Sequence, residues 1–215
     1  MSLPVDFNLY LITDRRQTVS GNLVRTVQAA LEGGARAVQL REKDLATDEL
    51  LRLAEQLRVL TLSYRARLLI NSDIDIALAV DADGVHLPSN SPEFASARKK
   101  LGEEKLLGMS THNLSELRIA ENSGADFVTF GPVFKTPAKL PFGDPVGLAA
   151  LETACRHTSL PLFALGGVAH AAVPELLMTG VAGIALISGI LASGDPAAAT
   201  RRFLTDLGAP QGSSR

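Results

Sequence analysis

About eight times along its 215 residues, the chain passes from a short apolar or β-branched run into a longer stretch with helical periodicity. The strand-like runs fall at 8–13, 37–41, 67–71, 84–87, 105–110, 127–131, 160–164 and 183–187. Between them lie helical stretches such as 23–32, 47–62, 114–122 and 148–156, with apolar residues three and four apart, as in Leu50, Leu53, Ala54 and Leu57. Helix stops stand at Gly33-Gly34, Ser123-Gly124 and Thr179-Gly180, each leading through small residues into the next strand-like run.

A repeated βα unit with short, right-handed crossovers leaves two architectures, an open doubly wound sheet or a closed (β/α)8 barrel. The count of eight favours closure. So does the first βα turn, which reads Ile12-Thr13-Asp14 where a dinucleotide fold would carry Gly-x-Gly-x-x-Gly. The expected fold is therefore a single-domain TIM barrel over 1–207. The remaining Gly-Ala-Pro-Gln-Gly-Ser-Ser-Arg, 208–215, is expected to be disordered.

Composition narrows the function classes. At this length folding hides roughly 70% of the extended chain's surface, so one core suffices without staples. A net charge of −2 argues against a nucleic-acid partner, since the basic runs Arg98-Lys99-Lys100 and Arg201-Arg202 read as solvated helix faces. The longest charge-free apolar run, 180–192, is glycine-rich and shorter than the ~18 residues of a membrane span. The opening Met-Ser-Leu-Pro-Val-Asp has no signal-peptide character, and the single Cys155 suits a reducing compartment. A cytoplasmic protein is expected. Quaternary structure stays open, with a homo-oligomer compatible with the surface patches of small barrels.

Barrels place their chemistry on the loops after the strands. Gly166-Gly167 after the seventh strand and Ile187-Ser188-Gly189 after the eighth form two adjacent loops without bulky side chains. Backbone N–H groups there can converge on a phosphate monoester, although tight turns alone would also explain the glycines. Gln39, Arg41 and Lys43, two residues apart, share the inward face of the second strand; two cations there call for an anionic ligand or carboxylate partner. Glu42 between them faces the other way. His112 precedes Asn113-Leu114-Ser115-Glu116, a helix start with an N-cap and a Glu at N3, where a neutral imidazole suits acid–base work. His86, in a strand running into Leu87-Pro88, is the weaker candidate. Asp73 reads as a first-turn helix residue after an Ser72 N-cap, and no metal-ligand cluster is evident.

The ordered motifs Leu-Tyr-Leu-Ile-Thr-Asp (9–14), Gln-Leu-Arg-Glu-Lys (39–43), Ile-Asn-Ser-Asp-Ile-Asp-Ile-Ala (70–77), Asp-Gly-Val-His-Leu (83–87) and Gly-Met-Ser-Thr-His-Asn (108–113) carry a resemblance. They continue with Phe-Gly-Pro-Val-Phe-Lys-Thr-Pro-Ala-Lys (130–139), Ala-Leu-Gly-Gly-Val (164–168) and Ile-Ser-Gly-Ile (187–190). Over about 8–205 the chain resembles the thiamine phosphate synthase/TenI family. That resemblance implies a phosphorylated thiazole as substrate, with Thr136, Gly166, Gly167, Ile187 and Ser188 at its phosphate. Asn71, Ser110 and Lys139 would join Gln39, Arg41 and Lys43 at the rest of the substrate.

The family has two branches. Synthases join hydroxymethylpyrimidine diphosphate to thiazole phosphate, with Mg²⁺ held by an acid after the third strand and another after the fourth. Here Ser72 and Ser91 stand at those places. Hydroxyls supply neither the charge nor the coordination that Mg²⁺ prefers. The expectation is therefore a TenI-type thiazole tautomerase, an isomerase in which His112 shifts a proton, with no metal and no cofactor. The alternative is the synthase, with Mg²⁺ its only cofactor. A non-catalytic thiazole or thiamine phosphate binder is a third reading.

Overall fold

Eight parallel strands follow one another around a closed barrel in chain order, the first pairing with the eighth. A computed structural model describes residues 4–136 and 144–208, the side chain of Ala95 excepted. The elements run β1 (Leu9–Ile12), α1 (Leu23–Glu32), β2 (Ala37–Leu40), α2 (Thr47–Ser63), β3 (Arg67–Asn71) and α3 (Ile74–Ala79). Then come β4 (Gly84–Leu87), α4 (Phe94–Leu101), β5 (Leu106–Thr111), α5 (Leu114–Asn122), β6 (Phe127–Phe130) and α6 (Gly147–Arg156). The last are β7 (Leu162–Leu165), α7 (Val173–Met178), β8 (Gly183–Leu186), α8 (Ser188–Leu191) and α9 (Pro196–Asp206).

Most strand residues are buried, because one face meets the helices and the other the lumen. In β2, Val38 and Leu40 join the core beneath the helices while Ala37 faces the lumen cluster; in β3, Leu68 and Ile70 face out and Leu69 in. Phe7, Tyr10, Phe127 and Phe163 fill the lower lumen, Phe127 standing edge-on to Phe7 with centroids 5.6 Å apart. This aromatic floor makes the barrel a packed core rather than a channel.

Below the strands, Asp83 ties the entry loops together. It accepts the Leu68 N–H at 2.8 Å and pairs with Arg58 at 2.7 Å and Arg67 at 3.4 Å. This charge cluster lies at the end of the barrel away from the expected chemistry.

The expected single barrel is what forms, with strand ends shifted by a residue or two. The seventh strand starts at Leu162, past Pro161, which has no N–H for a ladder. Lys105 lies outside β5, its ammonium 2.7 Å from Asp81. One capping expectation is overturned. Asp73, not Ser72, caps α3 by accepting the Ile76 N–H at 2.8 Å, while Ser72 takes a left-handed φ of 66° to make the turn. The tail read as disordered lies outside the described residues from 209 on. No helix among the described residues is long and apolar enough to cross a membrane.

Candidate active site

Gln39 occupies the lumen just above the aromatic floor, against Tyr10 of that floor. Both are buried, and the Gln39 amide donates to the Tyr10 hydroxyl at 3.0 Å. Burial pushes the Tyr10 phenol far up, with Gln39 pulling weakly the other way, so it stays protonated. Gln39 is thus committed inside the lumen. His86 stands against the same group, its ring 5.7 Å from both Tyr10 and Phe127. Its Nε2 lies 3.0 Å from the Ser110 hydroxyl and 3.5 Å from that of Thr129. Burial, helped by the charge of Arg41, pulls the His86 imidazole down to about 3, so it is neutral at any working pH.

Arg41 follows β2 at the mouth of the barrel, where its backbone N–H donates to Thr13 Oγ1 at 2.8 Å. Its guanidinium is half-buried and, among the described residues, makes no hydrogen bond or ion pair. Burial lowers its pKa, with Asp14 and Glu42 acting against that at longer range. Neither acid is free to close on it. Asp14 caps the turn Arg15–Gln17, accepting from Arg16 N–H at 3.2 Å and the Gln17 amide at 2.7 Å. Glu42, facing away from the lumen as the alternation requires, is buried against Arg15.

A cleft of about 570 Å³ opens beside the mouth, lined in part by Lys43, Asn71, Ser72 and Asp73. The structure thus brings Lys43 and Asn71 together, and within the cleft Asn71 donates to Ser72 Oγ at 2.9 Å. As a Mg²⁺ set the same groups are already committed elsewhere. The Ser91 hydroxyl accepts the Glu93 N–H at 3.2 Å, and Asp73 and Asp14 are spent as caps. Among the described residues, no three His, Cys, Asp or Glu side chains converge as metal ligands. This donor set does not fit a Mg²⁺ ion held by the protein.

The two glycine loops lie side by side, since β7 pairs with β8. Gly166 and Gly167 have φ of 98° and 67°, and a Cβ on Gly167 would stand 2.7 Å from Phe134 Cβ and 2.9 Å from Lys135 O. The loop after β6 lies directly on them, Val133 N–H donating to Leu165 O at 2.9 Å and Phe134 N–H to Gly166 O at 3.0 Å. The glycines therefore admit a neighbouring backbone as well as bare N–H groups. Among the described residues, the Gly167 N–H meets no acceptor. Ser188 opens α8 directly after Ile187, and Thr136 is half-buried within the same β6 loop. Lys139 lies outside the described residues.

His112 sits after β5 with its Nδ1 2.9 Å from Glu116 and its N–H donating to the same carboxylate at 2.8 Å. Asn113 caps α5 by accepting the Glu116 N–H at 3.0 Å, so Glu116 reaches back one residue beyond the N-cap. His86, the weaker candidate from sequence, also lies in the lumen. The signal was present in the pattern Gly-Val-His-Leu: Val85 and Leu87 belong under the helices, which turns His86 into the lumen.

Comparison with known proteins adds an independent line. The family model described as thiamine monophosphate synthase matches residues 9–190. A Geobacter sulfurreducens protein provisionally designated a thiamine-phosphate synthase is 50% identical over 94% of this chain and 95% of its own. The Clostridium novyi thiamine-phosphate synthase is 41% identical over 90% of this chain and 95% of its own. Among solved structures, a thiamine phosphate pyrophosphorylase from Pyrococcus furiosus superposes with a TM-score of 0.85 at 36% identity, covering 94% of this chain and 95% of that one.

Proposed function

The chain belongs to the thiamine monophosphate synthase family, and on that premise we propose that it joins hydroxymethylpyrimidine diphosphate to a thiazole phosphate, as a transferase of thiamine biosynthesis. This reverses the order of the two branches expected from sequence. The relatives and the solved structure named above carry synthase or pyrophosphorylase names, none a tautomerase name.

The observation that carries the reading is Arg41, a half-buried guanidinium at the mouth with no partner among the described residues. A cation so placed is costly unless an anion completes it, and a diphosphate does so through paired N–H···O bonds. In the reaction the thiazole nitrogen bonds to the pyrimidine methylene carbon as the carbon–oxygen bond to diphosphate breaks. Negative charge grows on the departing oxygens, where Arg41 and Lys43 offset it. Ser110 and Asn71 hold the heterocycles. The Gly166-Gly167 and Ile187-Ser188 backbone, with Thr136, holds the thiazole phosphate, and Lys139, outside the described residues, is assigned to the substrates by the family resemblance alone. The reading needs no organic cofactor and a cytoplasmic setting.

The test is a coupling assay with both substrates, run with Mg²⁺ and with EDTA, following thiamine phosphate and diphosphate by chromatography. Equimolar products over several turnovers are expected. Folded protein that makes no product in either condition overturns the reading.

One observation favours the tautomerase instead: Ser72 and Ser91 replace the acids that synthases use for Mg²⁺, and their hydroxyls are engaged by Asn71 and the Glu93 N–H. In that reading Glu116 holds His112 Nδ1, leaving Nε2 to move the proton. Aromatisation of a thiazole carboxylate phosphate without coupling would establish it. Binding of thiazole phosphate with neither reaction would establish the silent binder.

A further inference from the structure

We propose that His86 is a positioning residue, whose Nε2–H holds the Ser110 hydroxyl so that the hydroxyl's own proton is presented to a substrate acceptor at the barrel mouth.

The argument starts from the two ring nitrogens. His86 Nε2 lies 3.0 Å from Ser110 Oγ, whereas Nδ1 is fully buried and has no hydrogen-bond partner. A neutral imidazole carries one N–H. Placed on Nδ1, that proton would be an orphaned buried donor, which native interiors rarely tolerate. Placed on Nε2, it meets Ser110 Oγ, with Thr129 Oγ1 at 3.5 Å as a second acceptor, and leaves only a bare lone pair at Nδ1. The ring is neutral at working pH because it is buried and lies in the field of Arg41.

The ring is also fixed in place. Tyr10 and Phe127 flank it, each at 5.7 Å between centroids. Gly108, one pleat below Ser110 on β5, leaves the space that Nδ1 occupies: a Cβ there would stand 2.6 Å from it. A fixed N–H therefore occupies one lone-pair direction of Ser110. The serine is half-buried at the end of β5, and His86 is its side chain's partner among the described residues. Its proton is left for a ligand acceptor, a ring nitrogen or a phosphoryl oxygen.

The inference rests on the reading that the mouth is the substrate site, and two measurements separate the two. Long-range ¹H–¹⁵N spectra of histidine-labelled wild-type protein report the tautomer without any turnover. An Nε2–H signal pattern for His86 is expected, and an Nδ1–H pattern overturns the proposal even if the enzyme couples its substrates. In the coupling assay, or the aromatisation assay if that proves to be the reaction, His86→Leu should lower kcat/KM about tenfold. His86→Gln, which keeps an N–H at the same reach, should stay within about threefold of wild type. In a Ser110→Ala background His86→Leu should change nothing further. A second tenfold loss there would make His86 a packing residue only and overturn the proposal. Wild-type protein inactive in both assays would defeat the functional reading, while the tautomer still decides His86.

Discussion

Glu42 holds Arg15 at three points: it accepts the Arg15 backbone N–H through both oxygens, at 3.0 and 3.1 Å, and the guanidinium at 3.2 Å. The carboxylate is buried, so this contact stitches the loop after β1 to the loop after β2. Glu42→Ala leaves a shielded N–H without its acceptor and should cost about 1–3 kcal/mol in urea unfolding. Asp44→Ala, which breaks the exposed side of the same Arg15 cluster, should move the midpoint far less.

Arg41 sets function against stability. Arg41→Gln should lower kcat/KM about a hundredfold, by analogy with the loss of a donor to developing negative charge. The same change should raise stability by about 0.5–1 kcal/mol, because it removes a half-buried charge that, among the described residues, meets Asp14 and Glu42 only at longer range. Equal activity, or a clear loss of stability, would contradict this account.

His86 makes acid stability a local question. Its folded-state value of about 3 lies below the ordinary 6.5, so the unfolded chain binds a proton that the folded chain refuses between those values. Stability contributed by keeping the ring neutral is whole above pH 6.5 and declines as pH falls toward 3. His86→Gln carries no such proton. Relative to wild type it should gain about 1.4 kcal/mol per pH unit below pH 6, read from urea curves at pH 7, 5.5 and 4.5.

Gly167→Ala should disturb the site through its neighbour. The added methyl meets Phe134 and the Lys135 carbonyl, and φ of 67° strains any Cβ. A loss of about 1–3 kcal/mol and a rise in KM for the thiazole phosphate are expected. Gly194→Ala, where a Cβ meets nothing within 4 Å, should be neutral or slightly stabilising.

Asp83 predicts the converse separation. Asp83→Ala strands the Leu68 N–H and takes one carboxylate from Arg58 and Arg67, which keep only Asp81 at 3.8 Å and Asp6 at 3.1 Å, and should cost about 1–3 kcal/mol. Its place at the far end of the barrel predicts unchanged kcat/KM at temperatures well below the midpoint.

The barrel was legible in the sequence because each strand carries its own burial pattern and each helix its own stop. Gly33-Gly34 and Ser123-Gly124 end α1 and α5 where the pattern says they should. The inward face of β2 was legible by alternation, yet its depth was not: nothing in Gln39-Leu40-Arg41 says that Gln39 meets Tyr10 while Arg41 clears the rim. Capping at Ser72-Asp73 misled because serine and aspartate are both good N-caps. The choice fell to which residue takes the left-handed turn. Gly166-Gly167 read as phosphate turns, whereas half of their reason is the β6 loop lying on them, a contact no local pattern encodes.

The pairing that shuts the barrel has a consequence for how the chain acquires its shape. Consecutive strands meet across one helix, but Leu9 pairs with Ile184, some 175 residues away. Seven short-range pairings can form as the chain lengthens; the eighth waits for nearly all of it. Until then the growing sheet has two raw edges, β1 and whichever strand came last, each offering unpaired backbone to any neighbour. Ring closure is thus the high-contact-order step, and mutations that slow it should show first as aggregation during synthesis rather than as lost affinity in the finished protein.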